Sequence, residues 1–365
     1  MKISFSINIL MEKVTANCLN YRINLIKVTE MNSSPYVSII VPINNAGIYL
    51  EKCLDTLVNQ TLHNIEIICV LDTPTDGSDL LVKKYATLDQ RIKILINEKN
   101  LHVAESRNRG MSIASGEYIG FSDHDDWRSL DMYEKLYNAA YKDSLDIVIS
   151  DSYVVRDNEI TVCKYDLPSK KNILASLILP MSHPQNKNFL SKSVWASIYK
   201  RTFIIENHIE FLNRNNYYQE DTLFNLDAFL QADKIKYIDE PFYYWNINEN
   251  STSSQPTTNI AERQINFFEF IYSKLSRFKL LAEFSMEFNQ IISRSININY
   301  TSYMNINVQN KVRMSRFINY LTFSDATFQF SSRKKMKFCL FLTQLTFIRY
   351  SHTIHKLCIF RNYLP

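Results

Sequence analysis

The chain has 365 residues, 46% of them hydrophobic, which suits a large catalytic domain with an appended segment. It contains neither a run of about 18 apolar residues nor a C-x-x-C spacing among its six cysteines, which argues against a transmembrane helix, the common zinc sites and a disulfide framework. The net charge of +4 is uneven, because seven Lys and Arg residues but no acidic residue follow Asp325.

Residues 1–34 are interpreted as an N-terminal extension. The first ten residues hold one Lys and a short apolar run, but Glu12 follows and no small-residue cleavage site is evident. A secretory signal is therefore not predicted, and the protein is expected in the cytoplasm. Met31 lies just before the first clear strand and is a candidate for the natural start of the chain.

Strand and helix patterns alternate between Tyr36 and Phe121. β-branched and aliphatic runs predict strands at 36–41, 65–71, 92–96 and 118–121. Apolar spacing predicts helices at about 50–58, 79–86 and 103–114. This alternation predicts an α/β fold with a parallel, doubly wound sheet that binds its ligands beyond the carboxyl ends of the strands.

The pattern is less regular after a further strand predicted at 146–150. It predicts a helix from Asp221 to about Ala232 and short strands at 234–238 and 242–245. From about Ala261 the sequence is helical, aromatic and poor in turn signals, which places a boundary near residue 256. The predicted domains are a catalytic domain at 35–255 and a helical, basic C-terminal region at 256–365.

An acidic cluster follows the fourth predicted strand. Asp123, Asp125 and Asp126 occupy three of four consecutive positions, and such a cluster repels itself unless a cation is present. Carboxylate oxygens suit Mg²⁺ or Mn²⁺, which often bind phosphate oxygens as well. The alternative is an acidic loop that caps the helix predicted to begin near Leu130. His124 should point away from its acidic neighbours in a strand-end pattern and is left out of the metal shell.

Four motifs, in this order, resemble family 2 glycosyltransferases of the GT-A fold. They are VSIIVPIN at 37–44, LDTPTDGS at 71–78, SRNRG at 106–110 and GEYIGFSDHDDW at 116–127. The resemblance covers about residues 36–150 well and continues more weakly through 194–201, 218–222 and 243–245. Several spaced motifs in the right order are more specific than any one of them.

The resemblance implies an inverting transferase that moves a sugar from a nucleotide diphosphate, usually UDP, with a divalent metal between the phosphates. It implies that Asp125 binds the metal and that Asp123 contacts the ribose or supports the metal. Arg107 would lie near the diphosphate. In the Glu220–Asp221 pair, Asp221 would be the general base.

The resemblance further implies a nucleotide pocket in which Asp72 hydrogen-bonds the base and to which Pro42 and Asn44 contribute. Three positions depart from the family pattern, namely Asn44, Leu71 and His102. These changes bear on the identity of the donor more than on activity.

Each candidate residue also has a purely structural interpretation. Asp221 could cap the helix that it opens, Arg107 could be a solvated side chain, and Asp72 could stabilise its turn. Trp127 is interpreted as a packing residue rather than as a platform for substrate. Without the resemblance, capping is the stronger interpretation of Asp221.

The C-terminal segment gives information about the substrate that would accept the sugar. The apolar segment 336–348 is too short to cross a bilayer and is flanked by basic residues, a combination that suits an anionic membrane surface. The alternative is a C-terminal helix packed on the catalytic domain. Membrane contact would favour a lipid-linked saccharide acceptor at the inner face of the cytoplasmic membrane, in surface polysaccharide synthesis. Nucleic acid is not an expected partner, because no binding motif accompanies the charge.

Two other functions remain open from the sequence. A nucleotidyltransferase would also need an Asp-bound metal and a phosphate-binding rim, but it would need no base at Asp221. A catalytically inactive GT-A domain would bind a nucleotide or glycan without turnover.

Overall fold

The computed structural model describes residues 34–157, 159–164, 169–179, 192–247, 259–317 and 341–349. The predicted N-terminal extension lies outside these residues except for Ser34, and so does the predicted boundary near residue 256. Of the apolar tail segment, residues 341–348 are described, and they are helical. No helix in the described ranges is long and apolar enough to cross a bilayer.

The first part of the domain is a parallel sheet of buried aliphatic strands. Its strands are β1 Val37–Ile43, β2 Ile65–Leu71, β3 Ile92–Ile96 and β4 Tyr118–Phe121. They lie in the order β3-β2-β1-β4 and each pairs in parallel with its neighbour. The connections contain a 3-10 turn Gly47–Tyr49 and helices α1 Leu50–Val58, α2 Ser78–Leu88 and α3 His102–Ile113. Every residue of β1, β2 and β4 is buried, as in a sheet covered on both faces.

The second part of the domain extends this sheet with mixed pairing. Its elements are β5 Trp127–Arg128, α4 Met132–Asp143, β6 Ile147–Arg156, β7 Glu159–Cys163, α5 Lys170–Ile178, β8 Ser197–Lys200, α6 Arg201–Glu206, α7 Glu220–Gln231 and β9 Ile235–Asn246. β8 is antiparallel to both β4 and β6, whereas β9 is parallel to β6 and antiparallel to β5. The predicted α/β fold is confirmed, and its parallel pairings are those of β1 to β4 and of β6 with β9.

The predicted elements agree with the structure in type, and most differ by one or two residues at their ends. The main difference concerns the two strands predicted at 234–238 and 242–245, which form the single strand β9. Its pairing with β6 is irregular around Pro241, where Ile238 pairs with Ser150 and Pro241 with Asp151. Proline has no backbone N–H to donate, which accounts for the break in the sequence pattern.

Besides the helical residues 341–349, four helices of the C-terminal region are described, as its helical sequence predicted. They are α8 Ile260–Arg277, α9 Ser285–Ile298, α10 Tyr300–Met304 and α11 Val308–Ser315. Helix α8 packs on α7, and Lys274 Nζ on α8 lies 2.5 Å from Asp227 Oδ1 on α7. The C-terminal region is therefore joined to the sheet domain by a largely buried ion pair as well as by apolar contacts.

The junction between α3 and β4 is tightly packed at Gly116. Its N–H donates to Ser38 Oγ at 2.8 Å and to Glu66 Oε1 at 3.2 Å, both at the amino ends of their strands. A Cβ atom at this position would lie 2.6 Å from the backbone nitrogen of Ser38. A backbone atom of a buried strand cannot shift as a flexible side chain can, so only glycine fits here.

We expect Gly116→Ala to lower the free energy of unfolding by about 1–3 kcal/mol, because the added methyl group overpacks the junction. Chemical denaturation followed by circular dichroism measures this change. Ser112→Ala, at an exposed position near the end of α3, is the control and should alter stability by less than about 0.5 kcal/mol. Equal stability of Gly116→Ala and the parent would contradict the close approach.

Candidate active site

The candidate site lies at the carboxyl ends of the parallel strands, where the loops after β1, β2 and β4 meet. Helix α7 comes from the second part of the domain and brings Asp221 to the same edge. Arg107 on α3 joins the two parts, since its Nη2 donates to Asp123 Oδ1 at 2.8 Å and its Nη1 donates to Asp221 Oδ1. Residues that are 114 positions apart in the chain are thus in direct contact.

Arg107 is buried, with 2% of its surface exposed, so the interpretation as a solvated side chain is wrong. Burial tends to lower the pKa of its guanidinium, but the carboxylates of Asp221 and Asp123 more than offset this and raise the pKa. The guanidinium also lies over the ring of Phe211, 5.1 Å from the centroid. Arg107 is therefore a fixed positive charge between two carboxylates.

Asp221 is the second residue of α7, and its carboxylate binds Arg107 rather than the backbone of its own helix. The N-cap position belongs to Gln219, and no side chain caps the helix there. The capping interpretation of Asp221 is therefore wrong. Burial, together with the charges of Glu220 and Asp123, raises the pKa of Asp221 to about 7, although Arg107 opposes the shift. A carboxylate with this pKa can accept a proton near neutral pH.

Strand β9 holds the acidic loop in place. The N–H of Asp123 donates to the hydroxyl of Tyr243 at 3.0 Å, and that hydroxyl donates to Asp126 Oδ2 at 2.8 Å. The N–H of Asn246 donates to Asp126 Oδ1 at 2.7 Å, and its side chain donates to the carbonyl of Asp125 at 3.3 Å. Tyr243 and Asn246 were not identified from the sequence, because a tyrosine and an asparagine near a strand end have no distinctive pattern.

Asp126 and Arg128 are buried beneath this loop. Neither was predicted as a site residue. Burial raises the pKa of Asp126 well above its usual value, and the charges of Asp125 and Asp123 add to the shift. Arg128 is 2% exposed and donates to Ser122 Oγ at 2.6 Å and to the carbonyl of Cys53 at 3.1 Å. The sequence signal for Asp126 was the third carboxylate of the cluster.

The two half-buried carboxylates of the loop, Asp123 and Asp125, are the predicted metal ligands. No cage of three or more His, Cys, Asp or Glu side chains occurs in the residues described. Mg²⁺ and Mn²⁺ sites commonly use one or two carboxylates together with phosphate oxygens and water, so two carboxylates fit an ion that is held jointly with a diphosphate. Besides burial, the charges of Asp125 and Asp123 raise the pKa of Asp126, so the carboxylates of this loop repel one another and their negative charge is unfavourable. A bound cation would relieve this repulsion.

Asp72, the residue predicted to bind the nucleotide base, lies at the start of α3. Asp72 is 3% exposed and accepts hydrogen bonds from Asn97 Nδ2 at 2.7 Å and from the N–H groups of Leu101 and His102 at 2.8 Å. The bonds from Leu101 and His102 hold the start of α3, the helix that carries Arg107. Together with the bond from Asn97, they use three of the about four acceptor positions of a carboxylate, so a contact with a nucleotide base stays a prediction.

Pro42 and Asn44 lie beside this arrangement. Pro42 is buried in β1, and its carbonyl oxygen lies 3.0 Å from His124 Nδ1. Asn44 donates through its side chain to the carbonyl of Asp72. His124 is therefore directed toward β1, and the nucleotide contacts of Pro42 and Asn44 remain predictions.

Trp127 packs as its structural interpretation predicted. Its ring stacks on Tyr244 with 5.7 Å between the centroids, and Lys52 Nζ lies 3.1 Å from the centroid of the ring. This contact joins β5, β9 and α1 beneath the acidic loop.

Residues 38–201 match the family model of glycosyl transferase family 2. The chain is 34% identical over 223 residues to the uncharacterized glycosyltransferase EpsJ of Bacillus subtilis, covering 61% of this chain and 64% of that protein. It is 34% identical over 217 residues to the cholesterol galactosyltransferase of Borreliella burgdorferi, covering 57% of this chain and 59% of that protein. The chain thus spans somewhat less than two thirds of these two relatives.

Solved structures show the same fold at low sequence identity. S. aureus TarS 1–349 in complex with UDP has a TM-score of 0.60 and 18% identity, with 87% of this chain and 91% of that chain covered. The mannosyltransferase PcManGT from Pyrobaculum calidifontis, in complex with GDP-Man and Mn²⁺, has a TM-score of 0.50 and 14% identity, with 86% of each chain covered. The predicted GT-A fold is confirmed.

We expect Tyr243→Phe to destabilise the fold by about 1–3 kcal/mol, because it leaves Oδ2 of the buried Asp126 without its hydrogen-bond donor. It should also weaken Mn²⁺ binding in calorimetric titration, since the backbone of Asp123 loses its fixed acceptor. Tyr237→Phe is a matched control, because Tyr237 lies on the same strand and donates to Asp151 Oδ1 at 2.6 Å, away from the acidic loop. Equal weakening of Mn²⁺ binding in both variants would contradict a specific role for Tyr243.

Proposed function

Because the chain belongs to glycosyl transferase family 2 through residues 38–201, we propose that it transfers a sugar from a nucleotide diphosphate to a hydroxyl group, with inversion at the anomeric carbon. The single observation that carries this proposal is the position of Arg107, which contacts both the acidic loop at Asp123 and the candidate base Asp221. The same edge of the sheet would thus supply a group for the leaving diphosphate and a group for the attacking hydroxyl.

On the donor side, the chemistry requires positive charge near the leaving group. Breaking the bond between sugar and diphosphate adds negative charge to the phosphate oxygens, and a fixed guanidinium stabilises that charge without reorganising. Arg107 is such a group. Asp123 and Asp125 would hold Mg²⁺ or Mn²⁺, and the bound ion would supply further positive charge to the diphosphate.

On the acceptor side, a hydroxyl must lose its proton as it attacks the anomeric carbon. A positioned carboxylate contributes roughly 10²–10⁴-fold as a general base. Asp221 has the raised pKa that this role needs, and Glu220 contributes to it as a neighbouring negative charge. One base and a single displacement lead to inversion.

We propose a UDP-sugar as donor and a glycan or lipid-linked saccharide as acceptor, in surface polysaccharide synthesis. Support for UDP comes from the TarS structures, which were solved with UDP and with UDP-GlcNAc. The basic tail supports a position at the inner face of the cytoplasmic membrane, because cations beside an apolar segment favour an anionic lipid surface.

We expect Asp125→Ala to abolish Mn²⁺-dependent binding of UDP in calorimetric titration, because the ion loses a ligand that the diphosphate cannot replace. The control is Asp143→Ala, which removes an exposed carboxylate at the end of α4. Binding of UDP that is equally strong with and without Mn²⁺, in the parent and in Asp125→Ala, would show that the acidic loop is structural.

We expect Asp221→Asn to lower the rate of UDP release from a panel of UDP-sugars by about 10²–10⁴-fold, while the affinity for UDP and Mn²⁺ stays within about twofold. The change removes the proton acceptor but keeps the shape of the side chain. A full rate in this variant would favour a nucleotidyltransferase, which needs no base at this position. Binding of UDP without release from any donor, in the parent protein, would favour an inactive domain.

The rate should also fall about tenfold for each pH unit below about 7, because Asp221 acts only as the carboxylate. Glu220→Gln should move this acid limb to lower pH, since it removes a negative charge that raises the pKa of Asp221. Rate profiles between pH 5 and 9 measure both effects. A limb that stays in place in Glu220→Gln would contradict the coupling between the two acids.

A further inference from the structure

The segment that leads into α7 adopts an uncommon backbone conformation immediately before the acidic pair. Gln219 has φ of +52°, in the left-handed region, and no side chain caps the helix there. A non-glycine residue is strained in this region, and the strain persists only when the surroundings hold the residue in place. The contacts that hold this segment therefore influence where Glu220 and Asp221 lie.

Three successive residues before Gln219 are bound by α8. The guanidinium of Arg263 donates to the carbonyl of Tyr217 from Nη2 at 3.0 Å and from Nε at 3.3 Å. Asn266 donates to the carbonyl of Asn216, and the ring of Phe267 meets the ring of Tyr218 edge-on with 5.9 Å between centroids.

The binding residues on α8 lie at positions 263, 266 and 267, which is the spacing of one helix face. That face therefore forms a cradle for residues 216–218. Further along the same two helices, Lys274 binds Asp227 at 2.5 Å, so the contact continues beyond the start of α7.

Arg263 is also electrostatically suited to the acidic pair. It is 9% exposed, and burial together with the charge of Arg214 lowers the pKa of its guanidinium, whereas the charge of Glu220 raises it. Glu220 thus lies within the field of Arg263 on α8, while Asp221 is bound by Arg107 on α3. The pair lies between two guanidinium groups that come from different parts of the chain.

We propose that Arg263 is a positioning residue for the base Asp221, and that α8, outside the segment matched by the family model, thereby forms part of the catalytic apparatus. Arg263 acts through the backbone of Tyr217 and the left-handed residue Gln219, and it does not touch the reacting atoms. This inference rests on the proposed function, since it assigns Arg263 a role in the same reaction.

The test compares Arg263→Ala, Arg263→Lys and the parent protein. We expect Arg263→Ala to lower kcat for UDP release by about 10²-fold, because a shift of about 1 Å in a catalytic group has an effect of that size. The Kd for UDP with Mn²⁺ should stay within about twofold, since Arg263 binds the carbonyl of Tyr217 rather than the acidic loop. Arg263→Lys should recover part of the rate, because an ammonium group can donate to the carbonyl of Tyr217.

Arg277→Ala is the matched control, since it removes the same charge from an exposed position at the end of the same helix. It should leave kcat unchanged. Asn266→Ala is the second variant, for use if Arg263→Ala does not fold, and it should also lower kcat without changing the Kd for UDP. Retention of the full rate in Arg263→Ala, or a Kd that weakens in step with kcat, would overturn the positioning role. If the parent protein neither binds UDP nor releases it from any donor, the proposed function fails and this inference fails with it.

Discussion

The arrangement at the edge of the sheet depends on one buried guanidinium. Arg107 lies between Asp123, which follows β4, and Asp221, which opens α7, and it is 2% exposed. A charge removed from water in this way is strongly destabilising if either partner is lost, because the remaining charge has no compensation. The ion pairs therefore do more than stabilise the fold: they fix the distance between the acidic loop, which we propose faces the diphosphate, and the candidate base.

The elements around Arg107 are themselves fixed by polar contacts rather than by apolar packing alone. Asp72 holds the first turn of α3, which carries Arg107. Tyr243 holds the acidic loop by accepting from Asp123 and donating to Asp126. On the far side, Arg263 holds the segment before α7. Each of these buried groups is satisfied by hydrogen bonds, which makes the geometry specific, since a shifted loop would leave a buried charge or donor without a partner.

The sequence was sufficient to predict the parallel half of the sheet, because the patterns that indicate its strands and helices lie within short stretches of the chain. Short buried strands such as 65–71 and 92–96 are bounded by turn residues, and the helices between them show a clear apolar period. The sequence pattern gave a wrong prediction at Pro241. Because proline has no backbone N–H to donate, one continuous strand was predicted as two. The candidate residues were found for the same reason that the strands were, since Asp72, Arg107 and Asp123 follow strands or occupy the helices between them. Their partners were not found, because Tyr243, Asn246 and Arg263 are ordinary residues until the fold brings them into contact.

The sequence by itself determined the alternation of strands and helices, the family resemblance, and the acidic cluster at the end of β4, because these depend on residues that are close together in the chain. The tertiary structure decided that Asp221 binds Arg107 instead of capping its own helix, and that Asp72 holds the start of α3 through two hydrogen bonds. It also placed α8 against the segment before the acidic pair. The physical reason is the same in each case. A charged or polar side chain that is removed from water must form hydrogen bonds or ion pairs, and its role therefore depends on which partner the fold brings to it. For these residues that partner lies some 25 to 114 positions away in the sequence.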